Sequence, residues 1–452
     1  MLLTIVSFFL LLGLLMFFHE LGHYLAARRA GIEVEEFGVF GFPPRLFTLF
    51  TYRGTKFTVN AIPFGAFVRM KGEDAGDMEP GSFNAASAGA RTVVLVAGPA
   101  MNLILAVLFS VAALLSGAPA WVGHPALTQV PPETRAAQVG LQAGDILVQH
   151  RDSPIYVDPE TGALWEVRLL PAERPPAVTD LQLYRDRRAQ ILALPDGVGP
   201  EELVEGTAYE PVLFSRIFLV AEGSPAEAAG VQVGDRIYAL NGILVTPERP
   251  LSDLVQEHKG QVVTLTVLRD GQWLDIQVLA RENPPPGQGS MGVGIQAVTA
   301  PVQYPLWRAV WEGAWNIVLY VRTLLALPVL LLLGEVSPNE ASVSGPVGIA
   351  QLVGGAVSAT AQTGFWFPVL QLAAIISAGL GVANLLPIPA LDGGRLLFIA
   401  IEKLRGRRID PEKEGMIHLI GFALLLGLMA LVTISDIRSG PEAIDWTQIL
   451  GQ

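Results

Sequence analysis

Five consecutive residues, His19-Glu20-Leu21-Gly22-His23, carry the most specific chemical signal in the chain. On a helix, positions i and i+4 lie one turn apart on one face, so two imidazoles at this spacing can reach one tetrahedral zinc ion. The glutamate beside the first histidine can take a proton from zinc-bound water, whose pKa the metal lowers to about 7. The plainer alternative is a pair of hydrogen-bonded structural histidines. The setting weighs against it, because the motif follows an almost wholly apolar run over residues 2–18. Three ionisable groups on an apolar spanning helix are expensive unless they are paired or bind a metal. The chain has six histidines and no cysteine. Any metal must therefore be held by histidine, carboxylate or water, and disulfides and a cysteine nucleophile are excluded.

A catalytic zinc normally has three protein ligands and one open position. Apolar spans offer few carboxylates, and Asp392 stands out in the stretch Asn384-Leu385-Leu386-Pro387-Ile388-Pro389-Ala390-Leu391-Asp392-Gly393-Gly394. Two prolines break any helix there, and broken helices at membrane depth are tolerated where they line a cavity. The glycines after Asp392 let backbone approach the site closely. A helix-capping aspartate beside a loop is the competing account.

The elements that must position these groups are membrane helices. The composition is 51% hydrophobic and 16% charged, with a mean hydropathy of +0.44, against roughly 25% charged residues in soluble proteins. The first apolar run is read as a retained helix. Its basic pair, Arg28 and Arg29, follows the run, whereas a signal peptide carries basic residues before it and a cleavage site after. Further spans are expected near 92–116, 366–389 and 416–434.

Between the second and third spans lies a polar insert, about 119–305, with an internal repeat. AAQVGLQAGDILVQ (136–149) aligns with AEAAGVQVGDRIYALNG (226–242), matching Gly140 with Gly230, Gly144 with Gly234, Asp145 with Asp235 and, to within a residue, Leu147 with Tyr238. The second copy, followed by the alternating strand pattern TLTVLRDG, resembles a PDZ domain closely and the first copy less completely. The insert holds 13 Lys and Arg against 23 Asp and Glu, most of the chain's net charge of −12. A surface that acidic is a poor nucleic-acid partner. His124, His150 and His258 within it show no ligand spacing, so the insert is expected to control access and not to perform chemistry.

Basic residues in short loops orient membrane proteins. Residues 26–91 carry eight Lys and Arg, and the loop after Asp392 carries Lys403, Arg405, Arg407, Arg408 and Lys413. Both are expected on the cytoplasmic side, with the insert and both termini opposite. The apolar stretch 306–334 is then an interfacial or re-entrant helix, since a fifth crossing would reverse everything after it. In 32–70, KFTVN (56–60) and GAFVRM (65–70) alternate as strands do. An exposed strand edge there could hold an unwound substrate by β-augmentation; a plain bracing hairpin is the alternative.

HELGH on the first span, NLLPIPALDGG on a later one and PDZ modules between them resemble the site-2 protease family of intramembrane zinc metalloproteases. The likeness is greatest to its bacterial, sigma-E-regulating branch, which cleaves membrane-bound anti-sigma factors. It runs over nearly the whole chain, with Gly98-Pro99 and Asn102 in the second span and Ser344-Gly345-Pro346-Val347-Gly348 before the third. The resemblance implies Zn2+ as cofactor, His19, His23 and Asp392 as its ligands, and Glu20 as general base. It implies that Asn384 contacts substrate and that the β-element is membrane-associated. The implied substrates are single-span membrane proteins such as anti-sigma factors or remnant signal peptides, cut in or near their spans. The implied location is the bacterial inner membrane, with the PDZ domains extracytoplasmic; recognition of peptide ends in their grooves is one role open to them, and a steric filter against bulky extracytoplasmic domains is the one the resemblance favours. The expected fold is a polytopic α-helical membrane protein, four spans plus the interfacial or re-entrant helix and β-element, with inserted β-rich tandem PDZ domains. Its expected domains are 1–118, 119–208 and 209–284 for the two PDZ copies, 285–365 as linker and interfacial helix, and 366–452. A PDZ scaffold without catalysis and a zinc transporter are the other classes. The first has no need of Glu20, and the second has no use for so long an insert.

Overall fold

The apolar start of the chain forms one helix, α1 (Leu2–Arg29), about 42 Å long at 1.5 Å per residue and so able to cross a hydrocarbon layer of about 30 Å. Its buried residues, Leu15, His19, Gly22, His23, Tyr24 and Ala27, all lie from its midpoint onward. The computed structural model describes residues 2–62, 65–73, 78–151, 153–167, 180–285, 287–335, 345–407, 409 and 411–439. It divides into a bundle unit, built from the chain up to Ser116 and from Pro305 onward, and an insert unit, Gly117–Tyr304.

After α1 come β1 (Val34–Phe40), β2 (Phe42–Tyr52), β3 (Thr55–Ile62) and β4 (Phe67–Met70), in sheet order β2-β3-β1-β4. β3 and β4 are the two expected strands; β1 and β2 are additional. Phe37 of β1 is fully buried against Tyr24 and Phe17 of α1, which docks the sheet on the helix. β2 escapes a search for alternation because it is apolar on both faces, and Leu46, Phe47, Leu49 and Phe50 are all exposed. The next helix, α2 (Ala88–Gly117), accommodates Pro99 in its interior.

The insert unit begins with β5 (Ala118–Trp121). The first copy follows as β6 (His124–Gln129), α3 (Arg135–Gln138), β7 (Ile146–His150), β8 (Ser153–Pro154), β9 (Glu166–Val167), β10 (Leu181–Arg185), β11 (Arg188–Leu192), α4 (Pro200–Val204) and β12 (Ala208–Val212). The second copy comprises β13 (Ser215–Val220), α5 (Pro225–Ala228), β14 (Arg236–Leu240), β15 (Ile243–Leu244), α6 (Leu251–Glu257), β16 (Val262–Arg269), β17 (Gln272–Leu279) and β18 (Val293–Ala297), and β19 (Thr299–Gln303) ends the unit. The two sheets have the same order strand for strand: β11-β10-β7-β6-β12 with β8 on β7, and β17-β16-β14-β13-β18 with β15 on β14.

The aligned aspartates explain the repeat. Asp145 and Asp235 are buried, and each accepts two hydrogen bonds from one arginine, Arg185 at 2.7 and 2.6 Å and Arg269 at 2.6 and 2.7 Å. The same arginines donate to the carbonyls of Gly140 and Gly230 at 2.9 Å, and those glycines have positive φ, 89° and 80°. One alignment is corrected: Leu147 corresponds to Ile237, both fully buried, and not to Tyr238. Tyr238 instead packs on Trp273, beside Tyr184.

His124 is a core histidine of the insert. Its Nδ1–H donates to the Ile155 carbonyl at 2.9 Å, and its ring packs on Tyr156 and Phe214. Burial pushes its pKa down to about 4, helped by Arg236 and opposed by the Ile155 bond. The unfolded chain protonates near 6.5, so it gains protons first as pH falls. The insert is expected to lose about 3 kcal/mol of stability between pH 6.5 and 4. His124→Phe should flatten that slope in chemical denaturation followed by tryptophan fluorescence; an unchanged slope would assign the pH dependence elsewhere.

The bundle resumes with α7 (Leu306–Leu333), α8 (Pro346–Thr363), α9 (Phe367–Leu385), α10 (Asp392–Arg405) and α11 (Pro411–Ser439). Among the described residues, α1, α2, α7, α9 and α11 are long and apolar enough to cross a membrane. α7 is one unbroken helix, with no turn-back inside it. Its Gly313 presses on Val111 late in α2, while Phe8 of α1 packs in one cluster with Phe367 and Leu372 of α9. α7 and α9 therefore both begin near the end of the bundle where α1 starts and α2 finishes. The Gly345–Gly348 stretch seats on α11: Asp436 accepts from the backbone N–H groups of Gly345 (3.2 Å) and Gly348 (2.8 Å). Ser344 and Arg408, named above, lie outside the described residues.

Candidate active site

Close approach of α1 and α2 brings the histidines to their partners. A Cβ on Gly22 would stand 2.3 Å from the Ala97 carbonyl oxygen, and one on Gly98 would stand 2.3 Å from His23 Nε2. Small residues at such crossings let helix backbones meet. His23 Nδ1–H then donates to the Val94 carbonyl at 2.8 Å. The Asn102 amide lies 3.2 Å from His19 Nδ1, and Ser377 of α9 donates to the Asn102 carbonyl at 2.8 Å.

The third group arrives from the break between α9 and α10. Asp392 is the first residue of α10, Leu391 holds the capping position, and no side chain caps the helix. Asp392 is therefore not spent as a helix cap. A Cβ on Gly393 would stand 2.0 Å from the Leu386 carbonyl oxygen, and one on Gly394 2.5 Å from that of Ile388, so glycine is required for α10 to start there. The carboxylate turns to the histidines, with Oδ2 3.1 Å from His19 Nε2 and 3.3 Å from His23 Nε2.

These three donors fit a cation. The two Nε2 atoms are 3.1 Å apart, and donors about 2.0–2.1 Å from one tetrahedral zinc stand about 3.3 Å from each other. His23 carries its proton on Nδ1, so its Nε2 offers a lone pair. The Asn102 amide nitrogen stands 3.2 Å from His19 Nδ1, on the side of the ring away from Nε2, where outer contacts orient a ligating histidine. Asn102 Oδ1 and Asp392 Oδ2 are buried atoms without a hydrogen-bond partner. Among the described residues His19, His23 and Asp392 are the group whose ligand atoms converge in this way.

A cavity of about 310 Å³ opens on this cluster, lined also by Glu20, Val68 of β4, Glu73, Asn384 and Arg395. Glu20 thus faces the same space as the three donors. Asn384 lines it too, with its amide donating back to the Leu380 carbonyl at 3.0 Å; one amide proton and the oxygen are left for a ligand. Arg395 is paired with Glu73 at the cavity wall. All five expected site residues meet in one place. The roles of Asn102 and Gly98 escaped the sequence reading, although a lone amide in an apolar span is itself a signal.

Comparison with known proteins agrees with this geometry. The family model for peptidase family M50 matches residues 7–428, a range that contains both the His19–His23 motif and Asp392. The chain is similar to the zinc metalloprotease RasP of Geobacillus kaustophilus, 31% identical over 449 residues that cover 96% of this chain and 98% of that one. It is 32% identical over 459 residues to the zinc metalloprotease RasP of Shouchella clausii, covering 96% and 98%. With the regulator of sigma-E protease RseP of Escherichia coli it shares 29% identity over 462 residues, again covering 96% and 98%. A match that spans both halves of the site and nearly all of the chain means that this protein belongs to peptidase family M50 and is a zinc-dependent peptidase.

Proposed function

We propose that the chain is an intramembrane endopeptidase that hydrolyses peptide bonds in or near the spans of single-span membrane proteins, such as anti-sigma factors or remnant signal peptides. The observation that carries the reading is the packing of two imidazole nitrogens and a carboxylate oxygen within 3.1–3.3 Å of each other, beside Glu20, with both histidines on a helix long and apolar enough to cross a membrane. His19, His23 and Asp392 would hold the ion. Zinc supplies a Lewis acid that polarises the scissile carbonyl and makes a water acidic near neutral pH. Glu20 accepts the proton of the attacking water as its oxygen bonds to the carbonyl carbon, and returns it to the amine as the C–N bond breaks. Asn384 holds substrate backbone or donates to the developing oxyanion.

A helical span shields its own peptide bonds, so the substrate must unwind before attack. β4 lies at the edge of its sheet, and Phe67 and Val68 border the cavity. We infer that this edge receives the unwound segment as an added strand. The apolar β2 is suited to the bilayer boundary. Trp307, Trp311, Trp315 and Trp366 are exposed where α7 and α9 begin, as aromatic residues at a membrane surface are. We assign that end to the extracytoplasmic side of a bacterial inner membrane, with four crossings. His19 then lies on the order of 25 Å along α1, towards the cytoplasm.

The repeated modules of the insert are read as PDZ-like. They act as a filter that refuses substrates with bulky extracytoplasmic domains, with recruitment of trimmed peptide ends as the alternative. Deleting about 126–282 is expected to permit cleavage of full-length substrates that the intact enzyme refuses. A deletion variant that folds, binds zinc and still refuses them ends the filter reading; loss of cleavage of trimmed substrates favours recruitment. The activity itself is tested by mass spectrometry of membranes from cells carrying active or Glu20→Gln enzyme. Single-span proteins should accumulate with the variant, and stoichiometric zinc without any accumulating protein would point to a scaffold.

A further inference from the structure

His418 of α11 takes no part in the chemistry above, yet its ring is tied to the segment that carries the third ligand. Ala390, two residues before Asp392, has φ of 81°, a left-handed conformation that residues with a Cβ disfavour. Such a backbone persists only where its surroundings hold it. The Ala390 N–H donates to His418 Nδ1 at 2.8 Å. Among the described residues, the other backbone bonds of this segment are local, Leu386 N–H to Ala383, Ile388 N–H to Leu386 and Leu391 N–H to Ile388.

The rest of α11 supports the same contact. One turn beyond His418, Gly421 lies so close to Pro389 that a Cβ on it would stand 2.3 Å from the Pro389 Cβ. Because Nδ1 accepts, the His418 proton sits on Nε2, which faces the Glu414 carboxylate at 3.9 Å. Phe398 of α10 packs on the His418 ring with centroids 5.4 Å apart. We propose that His418 is a positioning residue, clamping Ala390 so that Asp392 reaches the two histidines. The proposal rests on the reading of Asp392 as a metal ligand.

The test uses the full-length enzyme, zinc competition against a chromophoric chelator, and the visible spectrum of the cobalt-substituted protein. His418→Leu should weaken zinc binding on the order of 10- to 100-fold, as loss of outer support for a ligand typically does, and should alter the cobalt bands. His418→Asn, whose Oδ1 can still accept the Ala390 N–H, should stay near wild type. Ala390→Gly added to His418→Leu should recover much of the loss, because glycine adopts this φ without a clamp. Wild-type affinity and spectrum in His418→Leu would overturn the proposal, and so would equal losses in the Leu and Asn variants, which would make the role one of packing. Asp392→Ala in the same assay separates the two readings. If it keeps zinc, the ligand assignment fails; if it loses zinc while His418→Leu does not, only the clamp fails.

Discussion

Glu20→Gln is expected to retain zinc and the fold while losing turnover by on the order of 10²- to 10⁴-fold, the contribution of a positioned general base. The substitution keeps the shape and hydrogen-bonding reach of the side chain and removes only its capacity to take up a proton. Glu20 lines the cavity with His19, His23 and Asp392 but is not within their cluster, so metal content should not follow activity. The measurement is zinc per protein alongside cleavage of a single-span substrate in detergent or vesicles. Substantial residual turnover would show that another group activates the water. Within the described residues the other carboxylate on the cavity wall is Glu73, already paired with Arg395, and Glu73→Gln in the Glu20→Gln background would then identify it.

The parts of the site that were legible in the sequence are those set by short-range geometry. Two histidines four apart on an apolar helix can only share a face, and a carboxylate between prolines and glycines can only stand at a helix break. What escaped depends on which helices become neighbours. Asn102 supports His19 only because Gly22 and Gly98 let α1 and α2 close, and no spacing within α2 shows that. Strand β2 was hidden because its exposed faces are both apolar, so the alternation that marks a half-buried strand is missing. The repeat register slipped by one at Tyr238, since Leu147 and Tyr238 both look like core residues until the sheet shows Ile237 inward. His418 had no visible purpose before Ala390 was seen in a left-handed conformation 28 residues earlier.

Asp392 and Asn384 face one cavity, yet their losses should separate. Asp392→Ala removes one of three donors packed at 3.1 and 3.3 Å and leaves two neutral imidazoles to hold the ion. Zinc affinity should fall by more than the roughly 10- to 100-fold typical of outer-shell changes, and activity should fall with it. Asn384→Ala touches no donor, because its amide bonds the Leu380 carbonyl of its own helix. It should leave zinc stoichiometry intact and lower kcat by about 10²- to 10³-fold if the amide donates to the oxyanion. If it only holds substrate backbone, KM should rise with kcat spared. Metal analysis after dialysis against a chelator, set beside the kinetics of each variant, distinguishes these outcomes. Full metal retention in Asp392→Ala would return that residue to a structural role at the start of α10, and zinc loss in Asn384→Ala would place the amide in the metal's own support.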